Sequence, residues 1–477
     1  MRARVMAVTV GLVLLAAACG SGGTPEAAST TTTQPATTTT STEKPQETRR
    51  NKEPIAYEDV VEVTLVDIQA FWEEQLPAVY DIEYTPLEDK DIYAGTSDDP
   101  PPACTPEGGQ GTYSDIEGNA FYCPLDGGYV AYDDETLFPE LYEQFGEYAV
   151  AMVMAHEWGH AIQDQIGIID EYKTILIENQ ADCFAGAWTK HSLTNESEVG
   201  FRAEPKDLQS ALGGMLKFSD APGADIFDNS AHGSGFDRIN GFRLGFDEGV
   251  ERCAEFPDNP PAIQNIPFTS EDEVATGGNL PYEEAIELAT TDLNAYWTAL
   301  ADQVGFDFEP VENVVRFSEE TAMPECGGKQ YTEDEALKKI FFCVDDNYVA
   351  WDDIYFEEVN AEIGDFGLGV LIAQQWSVSA QIQDGLDKDV IESKEGRLQQ
   401  SCFTGAWAFA VLNGDAHNGG AVSLSPGDLD EAILAFLAFS DTPDDEGETE
   451  QGSAFEQAGA FSDGFFFGEE QCAQMNL

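Results

Sequence analysis

His156 and His160 stand four residues apart in the run Ala151-Met-Val-Met-Ala-His-Glu-Trp-Gly-His160. On a helix that spacing places both imidazoles on one face, where they can bind one ion together. Glu157 sits beside His156, next to any water such an ion would carry. The preceding stretch, Tyr148 to Ala155, is almost wholly apolar and lacks strand-like alternation, which predicts a helix buried on most sides. Two imidazoles are costly there without a partner, and a metal supplies one. The plainer reading, a buried helix with two hydrogen-bonded histidines, leaves Glu157 unexplained.

The third ligand decides the class. A His or Asp six residues after His160 would mark a metzincin, and Ile166 stands there instead. Downstream, Glu178 and Asp182 lie four apart with helical spacing. Glu178 is placed to complete a two-His, one-carboxylate site. Asp182 is placed to accept the free ring N–H of a ligand histidine and fix its tautomer. Asp164, on the same face as His160, is the rival for the third position. In so acidic a chain both carboxylates also fit a solvated helix face.

Taken together, His156-Glu-Trp-Gly-His160 and Glu178-x-x-x-Asp182-Cys183-x-x-Gly186-x-Trp188 resemble a family of bacterial neutral zinc metallopeptidases. Those are gluzincin-like proteins of zincin fold. Ala231-His-Gly-Ser-Gly-Phe-Asp-Arg238 and Gly241-Phe-Arg-Leu-Gly-Phe246 are similar to that family's C-terminal motif. The resemblance runs from Tyr57 to Phe256 and implies Zn2+ and hydrolysis of a protein or peptide substrate. With one coordination position open, a bound water has its pKa lowered to about 7. Glu157 is the expected base, then acid. His232 is read as a donor to the tetrahedral oxyanion, or as a helix cap, and Arg238 as an aid to positioning. Tyr129–Tyr132 reads as an edge strand for an extended peptide, or as a plain core strand.

Stepping outward, Arg2 and Arg4 precede an apolar stretch that ends at Cys19, behind three alanines. Residues 1–18 read as a lipoprotein signal peptide and Cys19 as the lipidated first residue, an ordinary signal being the alternative. Residues 19–53 are rich in Thr, Ser and Pro, with nothing to bury, and read as a disordered tether. That places the protein outside the cytoplasm, lipid-anchored to the outer face of the bacterial membrane. The 22 basic against 90 acidic residues give a net charge of −68, which repels nucleic acid and anionic lipid and suits salty surroundings.

The second half of the chain echoes the first. Asp67-Ile-Gln-Ala-Phe-Trp72 matches Asp292-Leu-Asn-Ala-Tyr-Trp297, and Cys183-Phe-Ala-Gly-Ala-Trp188 matches Cys402-Phe-Thr-Gly-Ala-Trp407. The helix motif reads Ala155-His-Glu-Trp-Gly-His160 in one copy and Ala373-Gln-Gln-Trp-Ser-Val378 in the other. Arg397 stands opposite Glu178, Ser401 opposite Asp182 and Gln451 opposite His232. Apolar, Gly, Trp and Cys positions persist while every proposed site residue differs, so those residues behave as one functional unit. The expectation is an α+β, helix-dominated zincin-like fold in tandem duplication, with a degenerate second copy. Residues 54–256 form the metallopeptidase domain, 257–281 a junction, and 282–477 a pseudo-enzyme domain that packs on the first or holds substrate. One Zn2+ is expected, in the first domain only.

After Cys19 each half carries four cysteines: Cys104, Cys123, Cys183 and Cys253, then Cys326, Cys343, Cys402 and Cys472. An even count in matching positions of an exported protein implies disulfides. Cys104–Cys123 with Cys183–Cys253, and Cys326–Cys343 with Cys402–Cys472, are the preferred pairings. Zinc ligation by Cys183 is the competing idea, against which Cys402 persists where the other ligands are gone. Two readings of function remain: a surface-anchored zinc peptidase, or a non-catalytic lipoprotein in which zinc is structural and both domains bind a partner.

Overall fold

The computed structural model describes residues 54–194, 200–228, 231–414, 422–443, 447, 449–475 and 477. The signal segment, Cys19 and the tether therefore lie outside the described residues. The first half begins with α1 (Tyr57–Tyr80), which leads into three short strands, β1 (Ile92–Gly95), β2 (Ala120–Cys123) and β3 (Tyr129–Asp133). Helices follow: α2 (Leu137–Phe145), α3 (Glu147–Gln165), α4 (Thr174–Thr194), α5 (Asp207–Lys217), α6 (Gly235–Glu248) and α7 (Val250–Ala254). The protein is α+β and dominated by helix.

The strands form a sheet in the order β1-β3-β2, with β1 parallel and β2 antiparallel to β3. Of the two readings of Tyr129–Tyr132, the structure bears out the core strand and not the edge strand. Those residues belong to the central strand, paired on both sides, and the antiparallel edge is β2. The sequence leaves both open because an apolar run fits a buried centre as well as an edge.

α3 is buried from Tyr148 to Gln163, as its unbroken apolar pattern requires. α4 is buried from Ile177 to Thr189. The two helices approach closely because Gly159 offers no side chain: a Cβ there would lie 2.9 Å from Ala181 Cα. α4 and α6 meet more tightly still. A Cβ on Gly186 would fall 1.9 Å from Phe242 O, and one on Gly245 1.8 Å from Cys183 O. The Cys183–Cys253 disulfide then ties α4 to α7, and Cys104–Cys123 ties the preceding loop to β2.

α8 (Glu271–Thr276) opens the passage to the second half, and α9 (Tyr282–Val304) follows. Strands β4 (Asn313–Phe317), β5 (Glu325–Cys326), β6 (Lys329–Gln330), β7 (Ile340–Cys343) and β8 (Tyr348–Asp352) follow. β4, β8 and β7 form a sheet with the same order and the same parallel and antiparallel pairing as β1, β3 and β2. Beyond α10 (Glu333–Ala336), α11 (Asp353–Ile363) leads to α12 (Asp365–Gln383), which carries the Gln-Gln-Trp-Ser-Val segment. Then come α13 (Lys388–Ile391), α14 (Lys394–Leu412), α15 (Asp428–Phe439), α16 (Ala454–Phe467) and α17 (Glu469–Ala473). Cys326–Cys343 and Cys402–Cys472 are bonded. All four preferred pairings are therefore present, and with Cys183 closed in a disulfide its thiolate is not a metal ligand.

The halves share one hydrophobic core. α6 and α16 lie across from each other, with Phe236 packed on Phe461 and Phe465, and Phe242 and Phe246 packed on Phe455. Arg243 reaches Asp463 across the same contact at 2.8 Å. Among the described residues no helix is long and apolar enough to cross a membrane.

Candidate metal centre

Histidines 156 and 160 project from one face of α3, their rings 4.8 Å apart between centroids. Glu178 faces them from α4, with Oε2 3.2 Å from His156 Nε2 and Oε1 3.4 Å from His160 Nε2. All three side chains are buried, and their ligand atoms lie within 4.8 Å of one another. Glu178 is brought to this point by the Gly159–Ala181 contact one turn along α4, so the glycine of the motif sets the helix separation.

The other ring nitrogens are taken. His156 Nδ1 lies 2.7 Å from Asp182 Oδ1, and His160 Nδ1 lies 2.8 Å from Gln163 Oε1. A carboxylate and an amide oxygen can only accept, so each Nδ1 carries a proton and each Nε2 is the ring atom turned toward Glu178. Gln163 is fixed in turn: its Nε2 donates to Ile177 O at 2.7 Å and to Gln180 Oε1 at 3.0 Å, and Gln180 Nε2 donates to Cys253 O at 2.9 Å. Asp182 accepts a two-bond fork from Arg238, Nε to Oδ2 at 2.9 Å and Nη2 to Oδ1 at 2.8 Å. Arg238 Nη1 donates to Phe218 O at 2.8 Å. The buried guanidinium thus holds Asp182.

The electrostatics call for positive charge at the ring nitrogens. Burial alone would lower the pKa of His156, but the Asp182 carboxylate outweighs it and pushes the ring up to about 10. His160 is likewise raised, burial being outweighed by Glu178. Glu178 is held well below the usual carboxylate range despite burial, by the two histidines. Asp182 is lowered against the same burial cost by Arg238 and His156. Glu178 Oε2 is nevertheless buried without a hydrogen-bond partner. Once a cation replaces the protons on the two Nε2 atoms, two ring nitrogens and one buried carboxylate form a donor set that fits a divalent metal of zinc type.

The remaining candidates fall elsewhere. Glu157 is buried beside His156 at 6% exposure. Asp164 accepts a hydrogen bond from Tyr122 Oη at 2.7 Å, joining β2 to α3, and is not part of the donor cluster. His232 lies ahead of α6 with its side chain 48% exposed and its Nδ1 3.6 Å from Asp220 Oδ1. It is not the cap of α6, because Ser234 accepts from Asp237 N there.

The second half carries a comparable set of hydrogen bonds with other chemistry. Gln381 Nε2 donates to Gly396 O and Gln399 Oε1, and Gln399 Nε2 to Cys472 O, repeating the links of Gln163 and Gln180. Where His156, Asp182 and Arg238 would stand, Gln374 Nε2 donates to Ser401 Oγ at 3.1 Å and Gln457 Oε1 at 3.2 Å. A charged trio is replaced by a neutral one. Arg397, opposite Glu178, turns back toward Glu392 O at 3.4 Å.

The model of a family described as "Putative neutral zinc metallopeptidase" matches residues 3–256. The chain belongs to that family. Among curated proteins, the chain is 31% identical over 148 residues to the uncharacterized protein YpfJ of Escherichia coli K12, covering 27% of the chain and 50% of YpfJ. It is 32% identical over 153 residues to the uncharacterized protein Rv2575 of Mycobacterium tuberculosis H37Rv, covering 27% of the chain and 52% of that relative. The chain thus spans about half the length of the curated relatives it matches. No solved structure matches it. Membership of the metallopeptidase family implies Zn2+, and His156, His160 and Glu178 form a buried site that fits it.

Two parts of this neighbourhood escape sequence reading. Gln163 follows His160 by three residues on the same helix face, a spacing that could have suggested it. The partner of Arg238 lies 56 residues earlier, and no local pattern announces it.

Proposed function

We propose that the chain is a zinc-dependent peptidase whose chemistry sits in the first half. The convergence of both Nε2 atoms on Glu178, with each Nδ1 already occupied, carries this reading. His156, His160 and Glu178 would hold the ion. A zinc ion held there supplies Lewis acidity toward a peptide carbonyl and toward water. Glu157, adjoining His156 on α3, takes a proton from the attacking water and delivers it to the leaving amine. Asp182 and Gln163 keep the two rings in the tautomer that leaves Nε2 free, and Arg238 keeps Asp182 ionised. His232, half exposed ahead of α6, is the candidate donor to the oxyanion of the tetrahedral intermediate. β2, the antiparallel edge strand beside α3, is where an extended substrate would pair.

The second half is read as a degenerate duplicate that binds no zinc, since its neutral glutamines offer no ligand set. Export and lipidation at Cys19 accord with four disulfides among the described residues, a pattern of oxidising compartments. The substrate is protein or peptide outside the cytoplasm. Substitution Glu157→Gln should retain about one zinc per chain and lose hydrolysis by on the order of a hundredfold or more. His160→Ala should lose both. Zinc analysis with a chelator-sensitive peptide-cleavage assay reads each outcome. Zinc-loaded wild type that cleaves no peptide would leave the ion structural and overturn the proposal.

A further inference from the structure

The helix that carries Arg238 begins against the other half of the molecule. Gly235 N donates to Asp430 Oδ2 at 3.0 Å and Phe236 N to Asp430 Oδ1 at 2.7 Å. One carboxylate on α15 thus satisfies two of the N–H groups that the first turn of α6 leaves open. Gly235 sits tightly here: a Cβ would fall 2.4 Å from Leu216 Cδ2 and 3.2 Å from Asp430 Cγ. Phe236 is clasped at the same point by Phe461, Phe465 and Phe466, with centroids at 6.0, 5.2 and 5.6 Å. Two residues further on, Arg238 forks onto Asp182, and Asp182 holds His156.

The brace runs one way. α5 begins Asp207-Leu-Gln-Ser-Ala and α15 begins Asp428-Leu-Asp-Glu-Ala, so Gln209 stands where Asp430 stands. Gln209 donates its side-chain amide to Asp441 O at 3.0 Å. The start of α16 is closed within its own half, by the reciprocal bonds of Ser453 and Glu456. The anion therefore sits on the side of the interface whose partner helix holds the charged trio. Across from it, α16 carries Gln457 in the neutral trio, and among the described residues no carboxylate of the first half caps its start.

We propose that Asp430 is a positioning residue for the metal centre: the second half fixes the start of α6, and through Arg238 and Asp182 the orientation of His156. This rests on His156, His160 and Glu178 being metal ligands. In the full chain, Asp430→Asn keeps the shape and removes the charge. Zinc affinity, measured by competition with a chromophoric chelator, should fall on the order of tenfold, the range seen when an outer partner of a metal ligand is lost. The absorption bands of the cobalt-substituted protein should shift, which loosening of a remote interface would not produce. In an Arg238→Lys background the same substitution should change affinity by less than about twofold, because the path is already cut. Asp463→Asn, which removes the neighbouring interface bridge to Arg243, should leave affinity and bands as in wild type. Should Asp430→Asn fold poorly, Asp430→Gln, the residue of the matching position, serves in its place. Unchanged affinity and bands in the Asp430 variant, an undiminished effect beside Arg238→Lys, or an equal loss in Asp463→Asn would each overturn the inference. Zinc affinity that survives His160→Ala would instead undo the ligand assignment beneath it.

Discussion

Arg238 grips Asp182 with two hydrogen bonds of 2.9 and 2.8 Å while His156 Nδ1 lies 2.7 Å from the same carboxylate. The guanidinium and the ring compete for one anion, yet both are needed. Arg238 keeps Asp182 ionised in a buried setting, and the ionised carboxylate holds the proton on Nδ1. Substitution Arg238→Met should leave the buried Asp182 carboxylate with His156 Nδ1 as its remaining partner and Oδ2 without the Arg238 bond. The expected cost is about 3–5 kcal/mol of stability, seen in denaturant titration, together with a ten- to hundredfold fall in zinc affinity, both of those ranges being approximate. A variant that kept both properties would mean the fork is ornamental.

Gly159→Ala tests the helix spacing. The new methyl would stand 2.9 Å from Ala181 Cα and 3.2 Å from Ala181 O, both backbone atoms that cannot swing aside. Overpacking of this kind costs about 1–3 kcal/mol, and α3 must move from α4. Since Glu178 reaches the histidines only across that gap, zinc affinity should drop at least about tenfold with helix content unchanged. Circular dichroism beside chelator competition separates the two effects, and full affinity would show that the spacing is not critical.

How much of this site is legible in the sequence follows from how local each signal is. His156, Glu157 and His160 announce themselves because one helix fixes their geometry. Glu178 and Asp182 follow from a second helix and a four-residue interval. The four disulfides were readable because the two halves of the chain can be compared with each other. The central position of β3, the grip of Arg238 on Asp182 and the cap from Asp430 depend on which elements end up adjacent. Such long-range choices leave no periodic trace in the chain.

The pH dependence of stability has a definite sign. Burial pushes the carboxyls of Asp207, Asp365 and Asp430 up to about 6, Asp237 to about 7 and Glu431 to about 8. In the unfolded chain these groups ionise near 4, so between about 4 and 8 the native state holds more protons than the unfolded one. Stability must then fall as pH rises through that window. His156 acts in the same direction: its raised pKa contributes stability below its unfolded value that is lost as pH climbs toward about 10. The lowered carboxyls of Glu178 and Asp182 contribute above their unfolded values and lose it only on more acid solutions. Chelator-treated protein should therefore melt at least ~3 °C higher at pH 5 than at pH 8. Calorimetry at constant ionic strength checks this, and a higher melting point at pH 8 would contradict it.

The neutral trio of the second half invites the reverse experiment. Its amide ladder of Gln381 and Gln399 already stands where Gln163 and Gln180 support the first site. What differs is the ligand set and the residue at the helix contact, since Ser377 occupies the place of Gly159. Gln374→His, Ser377→Gly, Val378→His, Arg397→Glu, Ser401→Asp and Gln457→Arg together would rebuild both. If the scaffold is competent and only the ligands were lost, the combined variant should bind two zinc ions per chain where the parent binds one, read by metal analysis after dialysis. The rebuilt site would still lack a carboxylate on the far side of the interface, because Gln209 stands where Asp430 caps α6. Its affinity should accordingly be weaker than that of the native site, and adding Gln209→Asp should narrow the difference. A combined variant that folds and still binds one ion would show that the two halves differ in backbone placement as well as in side chains.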